Sequence, residues 1–312
     1  MPGPISRYLD GDPDGRLHLQ HGPIDLIIGV DDVERTGHDV SLKRRKAFDA
    51  ARARFETVLE ELVAELTLLK APAGKSARRP SGTVALRMVE AVSPFANTHF
   101  ITPMAAVAGA VADELIAAMQ SAFDVESCPL RMYVNNGGDI CLHLSESSEF
   151  RIRMAAETGI SLGDFAIEGK SPSRGIATSG RGGRSLSMGI ADSVTIIAAT
   201  AAAADAAATI VANAVDLADH PQIRRARAND VVDDSDLGER LVVVGCGFLS
   251  EAEADQALAA GAAKAERLLD AGLIHRAALF LKNRGRLVVP SVGAADQHFI
   301  SHHAPTGATF YA

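Results

Sequence analysis

The sequence predicts an α+β protein in which β-hairpins are mixed with long helices. Short apolar runs separated by turn residues predict hairpins, as in segment 5–30, where Asp12-Pro13-Asp14-Gly15 separates the first two runs. Apolar residues at helical spacing predict long helices, most clearly over 43–70. The apolar face of that helix comprises Phe48, Phe55, Leu59, Leu62 and Leu66. Hairpins combined with such helices indicate helices packed on antiparallel sheets.

The remaining elements follow from the same signals together with helix-start residues. Thr102-Pro103 has a hydroxyl and a proline where a helix can begin, and Ser250 with Glu253 forms a capping box. β-Branched apolar runs predict strands. In chain order we predict a helix at 83–92, a helix after 102, strands at 130–134, 140–144, 150–154, 159–167 and 193–199, a helix at 201–215, an irregular connection at 216–236, a strand at 241–245, a helix from 250 to about 272, and a last hairpin at 279–289.

The composition and net charge limit the kinds of molecule that this protein is expected to bind. The net charge of the 312 residues is -8, which argues against a nucleic-acid partner, because phosphate neutralisation needs a basic surface. The apolar stretches 104–119 and 194–217 each contain carboxylates, which are costly inside a membrane. Three cysteines without metal-ligand spacing suit reduced thiols, and the N-terminus lacks an apolar signal segment. We therefore expect a cytoplasmic protein that binds neither nucleic acid nor a membrane.

A glycine- and hydroxyl-rich loop in segment 174–213 is the first functional signal. Its glycines permit positive φ values, which can turn successive backbone N–H groups toward one anion, typically a phosphate. Two arginines add positive charge. The loop comprises Thr178, Ser179, Gly180, Arg181, Gly182, Gly183, Arg184 and Ser185.

A polar stripe on the alanine-rich helix that follows is the second signal. Asp205, Thr209 and Asn213 recur at every fourth residue and therefore share one face. A buried carboxylate must meet a cation, N–H donors or water. One interpretation is that Asp205 caps a neighbouring loop and Thr209 bonds back to its own helix. The other is a hard-cation site built from Asp and Thr oxygens and backbone carbonyls.

Two further stretches carry weaker signals. The helix after Pro103 presents small residues that allow close approach of a ligand or of another backbone, and tight helix packing explains them equally well. The segment 135–139 reads Asn-Asn-Gly-Gly-Asp between two apolar runs. A plain hairpin explains its glycines, and so does a backbone pressed against a ligand.

Three stretches together resemble the ApbE superfamily, the FAD:protein FMN transferases, and are most similar to its uncharacterised cytosolic sister branch. Their order and spacing agree with the family over about residues 80–215. The stretches are Pro103-Met104-Ala105-Ala106-Val107-Ala108-Gly109, then Asn136-Gly137-Gly138-Asp139, then Gly175-Ile176-Ala177-Thr178-Ser179-Gly180 leading to Asp205 and Thr209. The resemblance implies a T-fold-like core in one domain over 1–312. Its parts would be a meander and helix at 1–80, the motif-bearing core at 81–215, and a helix and hairpin at 216–312.

The resemblance also implies ligands and their residues. Mg²⁺ would be held by Asp205, Thr209 and a backbone carbonyl near Ala105 or Ala106. A flavin nucleotide, FAD or FMN, would lie against two loop segments. These comprise Gly137, Gly138, Asp139, Thr178, Ser179 and Gly180, and Arg184 and Ser185 of the same glycine-rich loop are the further candidates for anion binding. The expected partners are such a nucleotide or another anionic metabolite, an acceptor protein, and a second copy of the chain.

One departure from the transferases leaves the chemistry open. The transferases carry a His-x-x-Asp-Pro segment after the Thr-Ser-Gly loop, whereas 181–192 has neither histidine nor proline. Three functions therefore remain: transferase-type chemistry on a flavin nucleotide, a cytosolic enzyme of different chemistry on the same cradle (for example sulfur assimilation to homocysteine), or a non-catalytic flavin or anion binder. No catalytic residue is assigned, and Ser179 or Ser185 as a nucleophile is the less favoured interpretation.

Overall fold

The computed structural model describes residues 3–31, 38–74, 79–155, 161–183 and 185–290. It contains thirteen strands within these ranges. They are β1 (Ile5–Tyr8), β2 (Leu17–His21), β3 (Ile24–Asp31), β4 (Arg131–Asn136), β5 (Asp139–Leu144), β6 (Glu149–Ala155), β7 (Ser161–Glu168), β8 (Gly175–Ser179), β9 (Ser193–Ala198), β10 (Ile223–Arg227), β11 (Leu241–Cys246), β12 (Arg276–Leu281) and β13 (Arg284–Val288). Nine of them form one sheet in the order β1-β2-β3-β4-β5-β8-β9-β12-β13.

All neighbouring strands in this sheet are antiparallel, and long helices pack on one face. The helices are α1 (His38–Ala64), α2 (Leu66–Leu69), α3 (Thr83–Val92), α4 (Val107–Ser121), α5 (Ala201–Ala214), α6 (Ala228–Val231) and α7 (Glu251–Asp270). Helix α1 packs on β2 and β3, α4 on β4 and β5, α5 on β8 and β9, and α7 on β12 and β13. The predicted α+β class with helices on antiparallel strands is confirmed.

The alternation of side chains along the strands separates two apolar cores. Ala177 of β8 and Ile196 of β9 belong to the core on the helix side. Their neighbours Ile176 and Ile197 belong to a smaller core on the opposite face. The hairpin of β6 and β7 covers part of that opposite face, with Phe150 and Phe165 buried in the smaller core.

The N-terminal meander and the first helix agree with the prediction, apart from one break. Phe48, Phe55, Leu59 and Leu62 are buried along α1, as their spacing indicates. The helical segment is interrupted at Glu65, before α2. The Glu65 carboxylate accepts hydrogen bonds from the backbone N–H groups of Ser81 and Gly82 at 2.8 and 3.0 Å, just before α3.

Three predicted local structures differ from the observed ones. β6 and β7 form a separate two-stranded sheet instead of extending the main one. The segment 216–236, predicted to be irregular, contains β10, which pairs with β11. The Thr102 hydroxyl donates to the Asp236 carboxylate instead of capping, and Pro103–Ala106 forms a 3-10 turn before α4 begins. The first difference arises because β5 pairs with β8 and not with β6, and the second because β10 pairs with β11, which lies farther along the chain. Local sequence patterns specify neither choice of partner.

Two further observations concern the rest of the chain. Among the described helices, none combines the length and apolar character that crossing a bilayer requires. Cys128, Cys141 and Cys246 form no disulfide bond with one another. The main sheet joins strands from the N-terminal, central and C-terminal segments of the chain.

Candidate functional site

The N-terminal turns of α4 and α5 contact each other, and an acidic side chain from each helix accepts hydrogen bonds from the backbone of the other. Asp205, on α5, accepts a hydrogen bond at Oδ2 from the backbone N–H of Gly109 on α4, at 3.1 Å. In the reverse direction, Asp113 on α4 accepts from the N–H groups of Ala201 and Ala202 on α5, both at 2.9 Å. Each acid therefore accepts hydrogen bonds from N–H groups that the first turn of the other helix leaves free. This reciprocal capping fixes the two helices relative to each other.

A glycine makes the contact possible. A Cβ atom on Gly109 would lie 2.2 Å from the backbone carbonyl oxygen of Ala201, closer than any carbon can approach that atom. Asp113 and Asp205 lie four residues after Gly109 and Ala201 respectively, which places each acid beside the partner's first turn. The small residues predicted to allow close approach of a ligand or a backbone thus serve helix-to-helix packing at this position.

The Gly-Gly-Asp hairpin adjoins this helix junction. Gly137 and Gly138 form the turn between β4 and β5, with φ values of 65° and 110°, so the hairpin interpretation is correct. The Asn136 side-chain amide donates to the carbonyl oxygen of Ala108 at 3.1 Å, and thereby joins the hairpin to α4. Asp139 accepts a hydrogen bond from the backbone N–H of Thr178 at 3.1 Å, which joins the hairpin to β8.

The negative charge of Asp139 acts on the Asp205 carboxyl. Burial raises the pKa of the Asp205 carboxyl well above its ordinary value, and the negative charge of Asp139 raises it further. Hydrogen bonds from the N–H groups of Gly109 and Ala108 act in the opposite direction and do not offset these effects. Two carboxylates that adjoin each other in a protein interior form an unfavourable arrangement unless a proton or a cation accompanies them.

The side chains around Asp205 and Asp139 have the chemistry that a divalent cation needs. Mg²⁺ prefers oxygen ligands, and the oxygen atoms of Asp205, Asp139 and Thr209 are of that kind. A cation would also relieve the repulsion between the two carboxylates. Within the described ranges, no three His, Cys, Asp or Glu side chains converge as a metal cluster. A site here would therefore draw on a hydroxyl or backbone oxygens as well as carboxylates, as the family resemblance implies.

The glycine-rich loop differs from the predicted anion cradle. The N–H groups of Arg181 and Gly182 donate to the carbonyl oxygens of Ala191 and Asp192, at 2.8 and 3.2 Å. The N–H group of Gly183 donates to the carbonyl of Gly180 at 3.2 Å. These donors are occupied within the protein, so they do not converge on an anion as the glycine pattern predicts. What the loop offers a ligand is mainly its side chains.

The charge that the loop arginines were expected to supply is partly neutralised. The Arg181 guanidinium pairs with the Asp192 carboxylate at 2.5 Å. Arg184, the other predicted anion ligand, lies outside the described residues. Gly180 has a φ of 144°, and a Cβ there would lie 2.6 Å from the carbonyl oxygen of Asp192. Glycine is therefore required at 180 because the loop packs directly against the segment before β9.

The remaining candidate residues lie on both faces of the sheet. The Thr178 hydroxyl bonds to that of Thr195 at 2.9 Å, on the face opposite the helices, so only its backbone N–H reaches the junction. Ser179 pairs with Val194, which belongs to the helix-side core. Thr209 is partly exposed and Ser185 is exposed. Ala105 lies in the 3-10 turn that packs against α5.

Sequence reasoning did not assign a role to Asp113, the second acid of the junction. In the sequence, Asp113 is one of the carboxylates in segment 104–119 that argue against a membrane span. A usable signal was present, because Gly109 and Asp113 have the same four-residue spacing as Ala201 and Asp205, near the start of another helix rich in small residues. Asn213 also has a structural role, since its side-chain carbonyl accepts from the N–H of Met188 at 3.0 Å.

Comparison with known proteins agrees with this arrangement of motifs. A family model described as "AbpE bacteria" matches residues 7–289. The chain belongs to this family. A UPF0280 protein of Methanopyrus kandleri is 36% identical over 198 residues, which cover 58% of this chain and 72% of the relative. A UPF0280 protein of Methanocaldococcus jannaschii is 34% identical over 140 residues, or 41% of this chain and 50% of the relative.

Two solved structures are more distant neighbours of this AbpE-family chain. The crystal structure of the ApbE protein from Thermotoga maritima has 15% identity and a TM-score of 0.34, and the match covers 76% of this chain and 97% of that one. The flavin transferase ApbE from Vibrio cholerae also has 15% identity and a TM-score of 0.34, with 93% and 98% covered. The ApbE-like resemblance carried by the three motifs is confirmed by the family match.

Proposed function

We propose that this AbpE-family protein binds a flavin nucleotide, FAD or FMN, together with Mg²⁺ beside the α4–α5 junction. The observation that carries the proposal is the Asp205 carboxyl at the start of α4, which accepts the Gly109 N–H at 3.1 Å and whose pKa is raised by burial and by the charge of Asp139. A divalent cation held by Asp205 would offset the negative charge of both acids, and a diphosphate is the natural counter-ligand of such a cation. Membership of the AbpE family supports a flavin as the nucleotide.

In this proposal each candidate segment has a separate part. Asp205, the Thr209 hydroxyl and a backbone carbonyl near Ala105 hold Mg²⁺, which when bound neutralises charge on the diphosphate. Asp139 holds the Thr178 N–H, and so fixes β8 next to the hairpin. The Gly137-Gly138 turn leaves room for a flat ring, since a Cβ on Gly138 would meet no atom within 4 Å. Ser179 and Ser185 supply hydroxyl groups toward the phosphates.

We propose nucleotide binding without flavin transfer, because the loop after β8 lacks the His-x-x-Asp-Pro segment of the transferases. Segment 181–192 has neither histidine nor proline, and Arg181 within it is paired with Asp192. A non-catalytic binder is therefore favoured over a transferase. The same protein preparation distinguishes the two. Release of AMP from FAD in the presence of Mg²⁺ would support the transferase, whereas saturable binding without AMP release would support the binder.

The binding experiment is a fluorescence titration of FAD and of FMN with the purified protein, with Mg²⁺ and with EDTA. We expect Mg²⁺ to tighten binding by at least about tenfold, equivalent to about 1.4 kcal/mol. Asp205→Asn should abolish this enhancement and retain the fold in circular dichroism. Asp270→Asn, an exposed acid at the end of α7, is the matched control and should bind as the unmodified protein does. Equal Mg²⁺ enhancement in Asp205→Asn would refute the metal assignment.

A further inference from the structure

A cavity lies on the other side of the α4–α5 junction, at the N-terminal end of α5. Its volume is about 250 Å³, and α4, β5 and the residues just before α5 form its wall. None of the residues assigned above to the flavin or to Mg²⁺ lines it. This volume is below the about 300–1,000 Å³ of sites for drug-sized ligands, so the cavity suits a small molecule and is too small for a flavin nucleotide.

Two arginines supply positive charge to the wall of this cavity. Arg174 donates from Nη1 to the carbonyl oxygens of Ser171 and Ser173 at 2.6 and 2.7 Å, and from Nη2 to that of Gly169 at 2.7 Å. These bonds fix the guanidinium but leave its charge uncompensated, because no carboxylate among the described residues pairs with it. Arg87 pairs through Nε with Glu114 at 3.0 Å, and Glu114 does not line the cavity.

The acid in the wall does not balance this charge. Both carboxylate oxygens of Asp113 are occupied by the N–H groups at the start of α5, so the carboxylate and the positive helix end offset each other. His143 adds no negative charge. Its Nδ1 contacts the Gln120 amide at 2.7 Å, its Nε2 contacts the carbonyl oxygen of Pro129 at 3.1 Å, and burial lowers its pKa, which favours the neutral ring. The wall therefore carries net positive charge.

We propose that this cavity binds a small oxyanion, a phosphate or a carboxylate group, through the guanidinium groups of Arg174 and Arg87. Arginine is suited to this because its planar fork of donors matches the oxygens of both groups. Gln120 and the Thr200 hydroxyl also line the cavity and can complete the hydrogen bonds of the anion. The proposal does not depend on flavin binding, because it uses none of the same residues.

The test measures binding of inorganic phosphate and of succinate by isothermal titration calorimetry, at an ionic strength held constant with sodium chloride. We expect saturable binding of phosphate, of succinate, or of both. The anion that binds shows whether the cavity takes a phosphate or a carboxylate group. Arg174→Gln should weaken it by roughly tenfold or more, the value of one charge-assisted hydrogen bond. Arg79→Gln, an exposed arginine whose side chain is 76% accessible, is the matched control and should have no effect.

If Arg174→Gln fails to fold, two further variants still test whether the cavity binds the anion. Ala117→Leu places a larger side chain in the cavity wall without removing charge, and it should abolish binding while the circular dichroism spectrum is retained. Asp270→Asn, the exposed acid at the end of α7, should leave anion binding unchanged, which shows that the loss is specific to the cavity. The proposal is overturned if neither anion saturates the unmodified protein, or if Ala117→Leu binds as tightly as the unmodified chain does.

Discussion

At the scale of single residues, Asp205 has a pKa far from its ordinary value. Because burial and Asp139 raise its pKa well above the ordinary value of 3.8, the folded protein holds a proton there that the unfolded chain releases. Stability from this group is therefore complete below that ordinary value, and it falls as the pH rises toward the pKa of the folded state. Mg²⁺ must displace the proton to bind, so binding and pH are coupled.

Asp205→Asn should therefore stabilise the metal-free protein, and increasingly so with rising pH. Asparagine keeps a carbonyl oxygen for the Gly109 N–H but carries no charge to bury. We expect the variant and the unmodified chain to be equally stable near pH 4, and the variant to be more stable at pH 7. The measurement is urea unfolding in EDTA at both pH values, with Asp270→Asn as the control. A variant that is less stable at pH 7 would contradict the account of Asp205.

Sequence patterns predicted the relative positions of the candidate residues better than their roles. The four-residue spacing of Asp205, Thr209 and Asn213 correctly placed these residues on one helix face, because that depends only on helix geometry. The alternatives of a cap and a cation site could not be separated, since the choice depends on Gly109 and Asp139, which are remote in the chain. The cap is present. For the cation site, the adjoining Asp139 is the supporting observation.

At the scale of elements, the close packing of α4 against α5 is the feature on which the candidate site depends. Gly109→Ala should destabilise the protein by about 1–3 kcal/mol, because its Cβ would meet backbone atoms of Ala201, which cannot move aside as a side chain could. The result would be visible as a lower midpoint of urea unfolding. It should also weaken Mg²⁺-dependent flavin binding, because the Gly109 N–H would move relative to Asp205.

Gly183→Ala is the control for this substitution. Gly183 has no steric obstacle closer than 3.4 Å and is not held at a positive φ, so alanine should change stability by less than about 0.5 kcal/mol. If both variants were equally stable, the junction would tolerate separation of the helices, and the close contact would have no energetic importance.

Elements specified by local signals were predicted well, and elements specified by distant partners were not. The capping box at Ser250 and Glu253 starts α7, and the two glycines at 137 and 138 form the predicted hairpin turn. In contrast, β10 has a charged sequence, Ile-Arg-Arg-Ala-Arg, without alternation, and it becomes a strand because it pairs with β11. The internal bonding of the loop at 180–183 likewise depends on the segment before β9.

At the scale of the whole molecule, the helices on one face of the sheet are joined to each other by a charged cluster as well as by apolar contacts. Glu114 of α4 accepts from Arg54 of α1 at 2.8 Å, from the Thr83 hydroxyl of α3 at 2.6 Å and from Arg87 of α3 at 3.0 Å. The cluster thus connects three helices behind the α4–α5 junction. Because Glu114 directly follows Asp113, the cluster holds α4 next to the junction.

Glu114→Gln should destabilise the protein by about 1–2 kcal/mol at pH 7, because a half-exposed Arg87 would face a neutral amide, whereas Arg54 keeps its pair with Glu61. Burial alone would raise the pKa of Glu114, but the bonds from Thr83, Arg54 and Arg87 hold it below its ordinary value of 4.5. The stability from this group is therefore present above that value and is lost as the pH falls through the lower pKa of the folded state. The variant should accordingly lose less stability in acid than the unmodified protein does.

The matched control is Glu90→Gln, which alters an exposed pair with Arg79 at 3.5 Å and should change stability by less than about 0.5 kcal/mol. Urea unfolding at pH 7 and pH 3 measures both effects. Because Glu114 contacts no candidate flavin or Mg²⁺ residue, the folded variant should bind flavin normally at low temperature. If Glu114→Gln proved as stable as the control at pH 7, the helices would be held by their apolar faces alone, and the charged cluster would contribute only specificity of packing.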